Sequence, residues 1–366
     1  MHPTDESSIS LKTQRWRYVG GAYTTTVNGT FLDGAMYVET FEPFDASGSQ
    51  VVMIHGGCQT GTNFVATPDG RRGWLHDFLR AGFTVHIIDQ PERARSGHQL
   101  HGDYPNALIR FSVEHIEDRF TATAVSKLWP QAAHHSQWPG TGQRGALYFD
   151  QFFASQVAML RDRGDIEALT ADAGAALLDE IGPATLLTHS QSGAIGWLMA
   201  DRRPALVSAI LAIEPNGPPF REVDFSGDSE PWYRYRESVE RPYGITRAPL
   251  TYSPALTKPS DLRPALAPSG GDATLVDAML QSDPPRQLVN LSGLPILIAC
   301  AEASYHATYD HCTSAFLTQA GVEHDFVYLA EHGLKGNGHM VMLEKNNHAV
   351  ADFLLRWLKD RGIGSS

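Results

Sequence analysis

The chain has 366 residues, 42% hydrophobic and 19% charged, the composition of a soluble globular protein with room for one large α/β domain and insertions. A formal charge of −12 argues against nucleic acid and anionic membrane surfaces as partners, since both call for a basic face. No apolar run approaches the roughly 20 residues that span a bilayer, and the opening MHPTDESSIS lacks the basic start and apolar stretch of an export signal, so the expected location is cytoplasmic.

Residues 1–13 are polar and expected to be poorly ordered. Arg15–Thr26 and Ala35–Glu42 are rich in Tyr, Val, Thr and Phe, and predict an antiparallel pair turning at Asn28-Gly29. Val51–Ile54 is a wholly apolar run suited to a strand buried on both faces. It ends in the glycine-rich His55-Gly56-Gly57-Cys58. A helix over Gly73–Ala81 and a strand over Phe83–Ile88 follow. The rhythm resumes with strands at Thr185–Ser190, Ala209–Ile213, Pro295–Cys300 and Asp325–Leu329, and helices at His311–Ala320 and His348–Lys359. Strand–loop–helix–strand in this order predicts a mostly parallel sheet flanked by helices.

Two stretches break the rhythm, residues 98–165 and 215–292. Long insertions at strand ends of α/β folds commonly form lids or binding walls. They are read as a cap on a single domain, lined by Trp129, Trp138 and Tyr148.

The chemistry centres on Ala184–Ala200, an apolar run that passes through Thr188-His189-Ser190-Gln191-Ser192-Gly193 into apolar residues at helical spacing. A strand turning sharply into a helix with a serine at its apex is a nucleophile elbow. Ser190 is the expected nucleophile, with Ser192 as competitor, and Thr188 and Ser192 stand where G-x-S-x-G has glycine. A serine needs a base, the base needs an orienting carboxylate, and the oxyanion needs fixed N–H donors. His339, between Gly338 and Met340 in a loop after the last strand, is the expected base, ahead of His324, His332 and His348. Glu214 and Glu302 both end strands at the same sheet edge and are both candidate acids. The amides of Gly57 and Gln191 are the expected oxyanion donors, and Cys58 is placed beside them at the substrate pocket.

The three cysteines, Cys58, Cys300 and Cys312, form neither a disulfide framework nor a C-x-x-C zinc site. His134-His135 and His306 with His311 lack further ligands at metal-binding spacing, so no metal is expected.

In motif order the sequence resembles the α/β-hydrolase superfamily. It is most similar to a bacterial and fungal esterase branch with a Ser-Glu-His triad, whose best-known member is secreted. The resemblance is carried by His55-Gly56-Gly57-Cys58-x-Thr60-Gly61, Thr67-Pro68-Asp69-Gly70-Arg71, Asp89-Gln90-x-x-Arg93-x-Arg95-Ser96, Gln137-Trp138-Pro139-Gly140, Phe149-Asp150-Gln151-Phe152, His189-Ser190-Gln191, Glu214-Pro215 and Gly336-Asn337-Gly338-His339-Met340. It implies Glu214 as the acid. The family's vicinal disulfide in the oxyanion loop is ruled out by Gly57, leaving Cys58 a free thiol. The expected activity is hydrolysis of a small-molecule carboxylic ester or lactone through an acyl-enzyme, with no cofactor and a homodimer admitted. The alternatives are an acyltransferase with the same triad, or a non-catalytic ligand-binding protein of this fold.

Overall fold

Apolar runs of five to seven residues in the middle of the chain become strands buried on both faces, and these set the frame for everything else. The computed structural model describes residues 8–98, 108–227, 229, 231–267 and 270–364. Its central sheet has eight strands: β1 (Leu11–Val19), β2 (Met36–Pro43), β3 (Gln50–Ile54), β4 (Thr84–Asp89), β5 (Ala184–His189), β6 (Val207–Ile213), β7 (Ile296–Cys300) and β8 (Asp325–Tyr328). Their spatial order is β1-β2-β4-β3-β5-β6-β7-β8. Strands β3 to β8 run parallel, while β2 is antiparallel to β4 and β1 to β2.

Successive residues of a strand point to opposite faces, and the two cores follow this alternation. Val52 and Ile54 of β3 join one core with helices α2 (Arg163–Ile181) and α3 (Ser192–Arg202). Val51 and Met53 join the other, with α1 (Trp74–Arg80) and α5 (Asn347–Lys359). Helix α4 (Asp310–Gln319) lies between β7 and β8 in the chain and completes the first core through Phe316 and Leu317.

The N-terminal pairing differs from the sequence expectation. The pair is Leu11–Val19 with Met36–Pro43, and Asn28-Gly29 closes a separate hairpin of Ala22–Thr26 with Gly29–Asp33. The break falls at Gly20 and Gly21, both at positive φ; a Cβ on Gly21 would lie 2.9 Å from backbone atoms of Asp33 and Ala35. That close crossing ends one ladder and starts the next. Residues 11–13, expected to be poorly ordered, begin β1, while residues 1–7 lie outside the described part. Helix α2 was not expected. Its buried positions include Ala171, Ala173 and Ala175, and a Cβ on Gly174 would meet Met199 Sδ of α3 at 2.6 Å. A helix that packs through small residues at close range carries a weak hydrophobic period.

Among the described residues the insertions form only small two-stranded sheets and short helical stretches. Residues 108–165 contribute a two-residue ladder, Leu108–Ile109 with Met159–Leu160, and short helical turns; residues 99–107 of the expected cap lie outside the described part. Residues 215–292 contribute two small hairpins, Val223–Phe225 with Tyr233–Tyr235 and Pro264–Ala267 with Ala278–Gln281.

His86 ties three strands together. Its Nδ1 accepts from Thr40 Oγ1 of β2 at 2.9 Å, and its Nε2 donates to Gln50 Oε1 of β3 at 3.0 Å. Burial, with the nearby charges of Arg17 and Arg15, lowers its pKa to about 3. An imidazole that resists protonation when folded binds fewer protons than the unfolded chain between that value and its ordinary 6.5, so its stabilisation is full above 6.5 and falls with pH below it. We therefore expect unfolding titrations of the wild type and His86→Gln to converge, or cross, by roughly 2 kcal/mol between about pH 7 and about pH 5. A stability difference that stays constant over that range would contradict this.

Candidate active site

Strand β5 is buried along its whole length, and the chain turns at Ser190 into α3. Ser190 has φ +57°, a left-handed conformation that a non-glycine residue adopts only when its surroundings hold it there. The hold is visible. The Ser190 amide donates to Ile213 O at 3.1 Å, and its carbonyl accepts from Gly193 N at 2.9 Å and Asn216 N at 2.8 Å. Ser190 is part-exposed and lines a cavity of about 920 Å³.

The two non-glycine positions of the elbow each have a local solution. The Thr188 methyl occupies room left by Gly196 of α3, where an added Cβ would lie 2.8 Å from Thr188 Cγ2. Ser192 Oγ accepts from His189 N at 2.8 Å and donates to Ile54 O at 2.7 Å, so its hydroxyl joins β3 to β5 at the turn. The glycine that the turn does require is Gly193, whose Cβ would lie 2.5 Å from Pro215 Cβ.

His339 sits in the loop between β8 and α5 and also lines the cavity. Its Nδ1 donates to Glu214 Oε2 at 2.5 Å, and its Nε2 lies 3.3 Å from the Tyr305 hydroxyl. Tyr305 and Ser190 line the same cavity. The loop is fixed from below by buried Glu344, which accepts from Gly338 N at 2.9 Å, Asn337 Nδ2 at 2.7 Å and His135 Nε2 at 2.7 Å. Burial lowers the His339 pKa well below the ordinary imidazole value, and the neighbouring His189, His306, His115 and Arg119 push in the same direction.

Glu214 ends β6 at φ +47° and is fully buried. Burial raises its pKa. Against that, its carboxylate accepts from Ala301 N at 2.8 Å and Ser304 Oγ at 2.7 Å besides His339, three donors that suit the ionised form. Glu302, the other candidate acid, instead accepts from Gly336 N at 2.6 Å and anchors the histidine loop. His324, His332 and His348 are engaged elsewhere, with Ser314, Phe353 and Asp77 respectively.

Gly57 and Gln191 face each other across the cavity floor, where a Cβ on Gly57 would lie 3.7 Å from Gln191 Oε1. Among the described residues neither backbone amide has a hydrogen-bond acceptor. Buried amides without a partner are rare, and these two belong to the loop after β3 and to the residue after Ser190. Fully buried Arg93 joins the two segments, donating to Gly56 O at 2.9 Å and Gln191 Oε1 at 3.2 Å.

Glu214, His306 and His339 place possible ligand atoms within 4.8 Å of one another. Those atoms are engaged within the protein: Glu214 with His339, and His306 Nδ1 with Asp310 Oδ1 at 2.8 Å. His135, His306 and His311, suspected as ligands on first sight, hold Glu344, Asp310 and the Val276 carbonyl.

Three expected pocket residues lie elsewhere. Cys58 is fully buried behind the loop, its amide 3.3 Å from Met159 Sδ. Trp138 packs edge-on to Phe152 in the core at 5.3 Å. Trp129 donates to Ala303 O at 3.1 Å and backs Tyr305 at 5.9 Å. None of the three is on the cavity wall, and neither is Tyr148. The wall near Ser190 is instead Phe111, Phe120, Met159 and Tyr305.

A model of the alpha/beta hydrolase family matches residues 51–353. The chain belongs to that family. It is 42% identical over 338 residues to a probable secreted lipase, phiG, of Fungal sp. (strain ATCC 74256), covering 91% of this chain and 88% of the relative. It superposes with a TM-score of 0.63 on a novel bacterial esterase of known structure, over 97% of both chains at 21% identity, a likeness of fold. The expected cytoplasmic location is overturned by the secreted relative. Cys58, expected as a free thiol, is wholly buried, and none of the three cysteines forms a disulfide among the described residues.

The Thr188–Gly196 contact predicts a reversal of sign. Gly196→Ala should destabilise the wild type by about 1–3 kcal/mol through overpacking. In a Thr188→Ala background the same change should be neutral, or stabilising by up to about 1 kcal/mol, as expected for alanine replacing glycine inside a helix. Denaturant unfolding of the four proteins measures this, and equal effects in both backgrounds would refute the contact.

Proposed function

We propose that this α/β-hydrolase cleaves a carboxylic ester through a covalent acyl-enzyme on Ser190. One observation carries the reading: a serine held at positive φ on a strand–helix turn shares a cavity with a histidine whose far nitrogen is bonded to a buried glutamate. The similarity to a probable secreted lipase supports an ester as the substrate.

In this reading Ser190 Oγ attacks the ester carbonyl carbon while His339 Nε2 takes its proton. The lowered pKa of His339 keeps the imidazole neutral and able to accept. Glu214 fixes the ring through Nδ1 and stabilises the imidazolium that forms. The amides of Gly57 and Gln191, unpartnered at rest, receive the oxyanion. His339 then gives its proton to the departing alkoxide, and the same base activates a water that opens the acyl-enzyme, releasing the acid and restoring Ser190. Tyr305, whose hydroxyl lies 3.3 Å from His339 Nε2 and which lines the cavity with Ser190, steadies the resting imidazole beside the nucleophile.

A fluorophosphonate probe should label the protein once, and peptide mapping should place the label on Ser190. His339→Ala should lower kcat on a p-nitrophenyl ester by about 10³-fold or more. Labelling at another residue, or turnover that survives His339→Ala, would overturn the mechanism. Tyr305→Phe should lower kcat by about tenfold with a smaller change in KM, the scale of one lost hydrogen bond to a reacting group. An unchanged kcat would remove Tyr305 from the mechanism and leave Ser190 and His339 in it.

A further inference from the structure

Beyond the apolar wall around Ser190, the cavity is lined by acids and arginines, and most of these charges are already matched. Arg236 holds Asp224 through three hydrogen bonds, the shortest 2.7 Å. Arg241 holds Glu222 at 2.7 Å, and Arg247 holds Glu240 at 3.0 Å. Asp162 caps α2 by accepting from Gly164 N and Asp165 N.

Arg119 differs from these. It lines the same cavity and is half-buried, yet it makes no ion pair or hydrogen bond with any described residue. Its guanidinium carbon lies over the rings of Tyr305, at 5.4 Å, and Phe225, at 5.5 Å. The Tyr305 hydroxyl lies 3.3 Å from His339 Nε2, so one aromatic ring separates the guanidinium from the histidine. Arg119 projects from a π-helical turn, Glu117–Thr121, whose next residue Phe120 packs 5.0 Å from the His339 ring. Single π turns within helices occur often where a side chain is presented to a site.

A guanidinium with its face over aromatic rings keeps its planar N–H edge available, and that edge matches a carboxylate. We propose that Arg119 binds an ionised carboxylate carried by the substrate, so that the preferred esters bear a free acid as well as the scissile bond. This rests on the ester-hydrolase reading above. Among the described residues Glu222, Glu240 and Asp224 are held by their own arginines, while the Arg119 guanidinium has no hydrogen-bonded acceptor. The aromatic rings around it limit hydration of the ion pair, which strengthens it.

The test compares isosteric pairs on the full-length protein. Methyl hydrogen adipate is set against methyl hexanoate, with the charge on the acyl side, and acetoxyacetate against propyl acetate, with the charge on the alcohol side. In at least one pair the anionic member should have the higher kcat/KM by roughly 10- to 100-fold, the scale of a charge-assisted hydrogen bond. The advantage should collapse in Arg119→Gln, be partly kept in Arg119→Lys, and shrink in about 0.5 M salt. Neutral esters favoured or equal in both pairs, or a preference that survives Arg119→Gln, would overturn the proposal. Calorimetry with Ser190→Ala gives a readout without turnover. Binding of methyl hydrogen adipate or acetoxyacetate, lost in Ser190→Ala/Arg119→Gln, supports the carboxylate site even if ester hydrolysis itself fails. Absence of binding of both to Ser190→Ala would count against the site while leaving Ser190 labelling as the separate test of the mechanism.

Discussion

The site depends on one backbone arrangement at the ends of β5 and β6. Ser190 and Glu214 end neighbouring parallel strands, and both are at positive φ. The Ser190 amide donates to Ile213 O, and the Ser190 carbonyl accepts from Asn216 N. Ile213 and Asn216, which bracket Glu214-Pro215, are thus bonded to the serine's own peptide groups. Two conformations that would each be unfavourable alone are locked by a shared pair of hydrogen bonds. A shift of either strand end would move the other, so the separation between Ser190 and Glu214 is a property of the sheet rather than of a loop. His339, the one member on a loop, is brought to rigidity by different means. Buried Glu344 and half-buried Glu302 hold its loop through the amides of Gly338 and Gly336, and His189 at the end of β5 bonds its carbonyl at 2.9 Å.

Backbone ties also fix the cavity wall that carries Gly57 and Gln191. Arg93 connects the segments that carry them, so the loop after β3 cannot drift from the start of α3 without breaking its bonds to Gly56 O and Gln191 Oε1. His55 adds a second tie, since its Nε2 accepts from Gln90 N at 3.1 Å. That nitrogen must carry no proton, and burial lowers the His55 pKa accordingly.

Much of this was legible in the sequence, and the reason is physical. Strands buried on both faces read as unbroken apolar runs, so β3 to β7 stood out, and each chemical group follows a strand end. Ser190, Glu214, His339, Gly57 and Gln191 are where strand–loop order puts them. What sequence could not supply was direction. Trp129 and Trp138 are aromatic residues in an insertion, and such a residue looks the same whether it faces a cavity or a core. Tyr305 and Glu344 make their contacts to His339 and its loop from positions with no local signal of their own. The acid was ambiguous for a related reason. Glu214 and Glu302 both end strands, and only three-dimensional placement separates the one bonded to the imidazole from the one bonded to the loop amide.

The elbow shows how a motif can change letters and keep its geometry. The glycines of G-x-S-x-G answer a packing demand, that the strand before the serine and the helix after it pass close together. Here that demand is met by other residues. Gly196, one helical turn further on, makes the room that Thr188 fills. Ser192 uses its hydroxyl to satisfy the His189 amide and the Ile54 carbonyl, replacing small size with two hydrogen bonds. Gly193 takes the closest approach, against Pro215 directly after the acid. The requirement for bare backbone therefore moves by one position toward the strand end that carries Glu214. This places the tightest contact of the turn against the residue that follows Glu214, whose carboxylate accepts from the His339 ring.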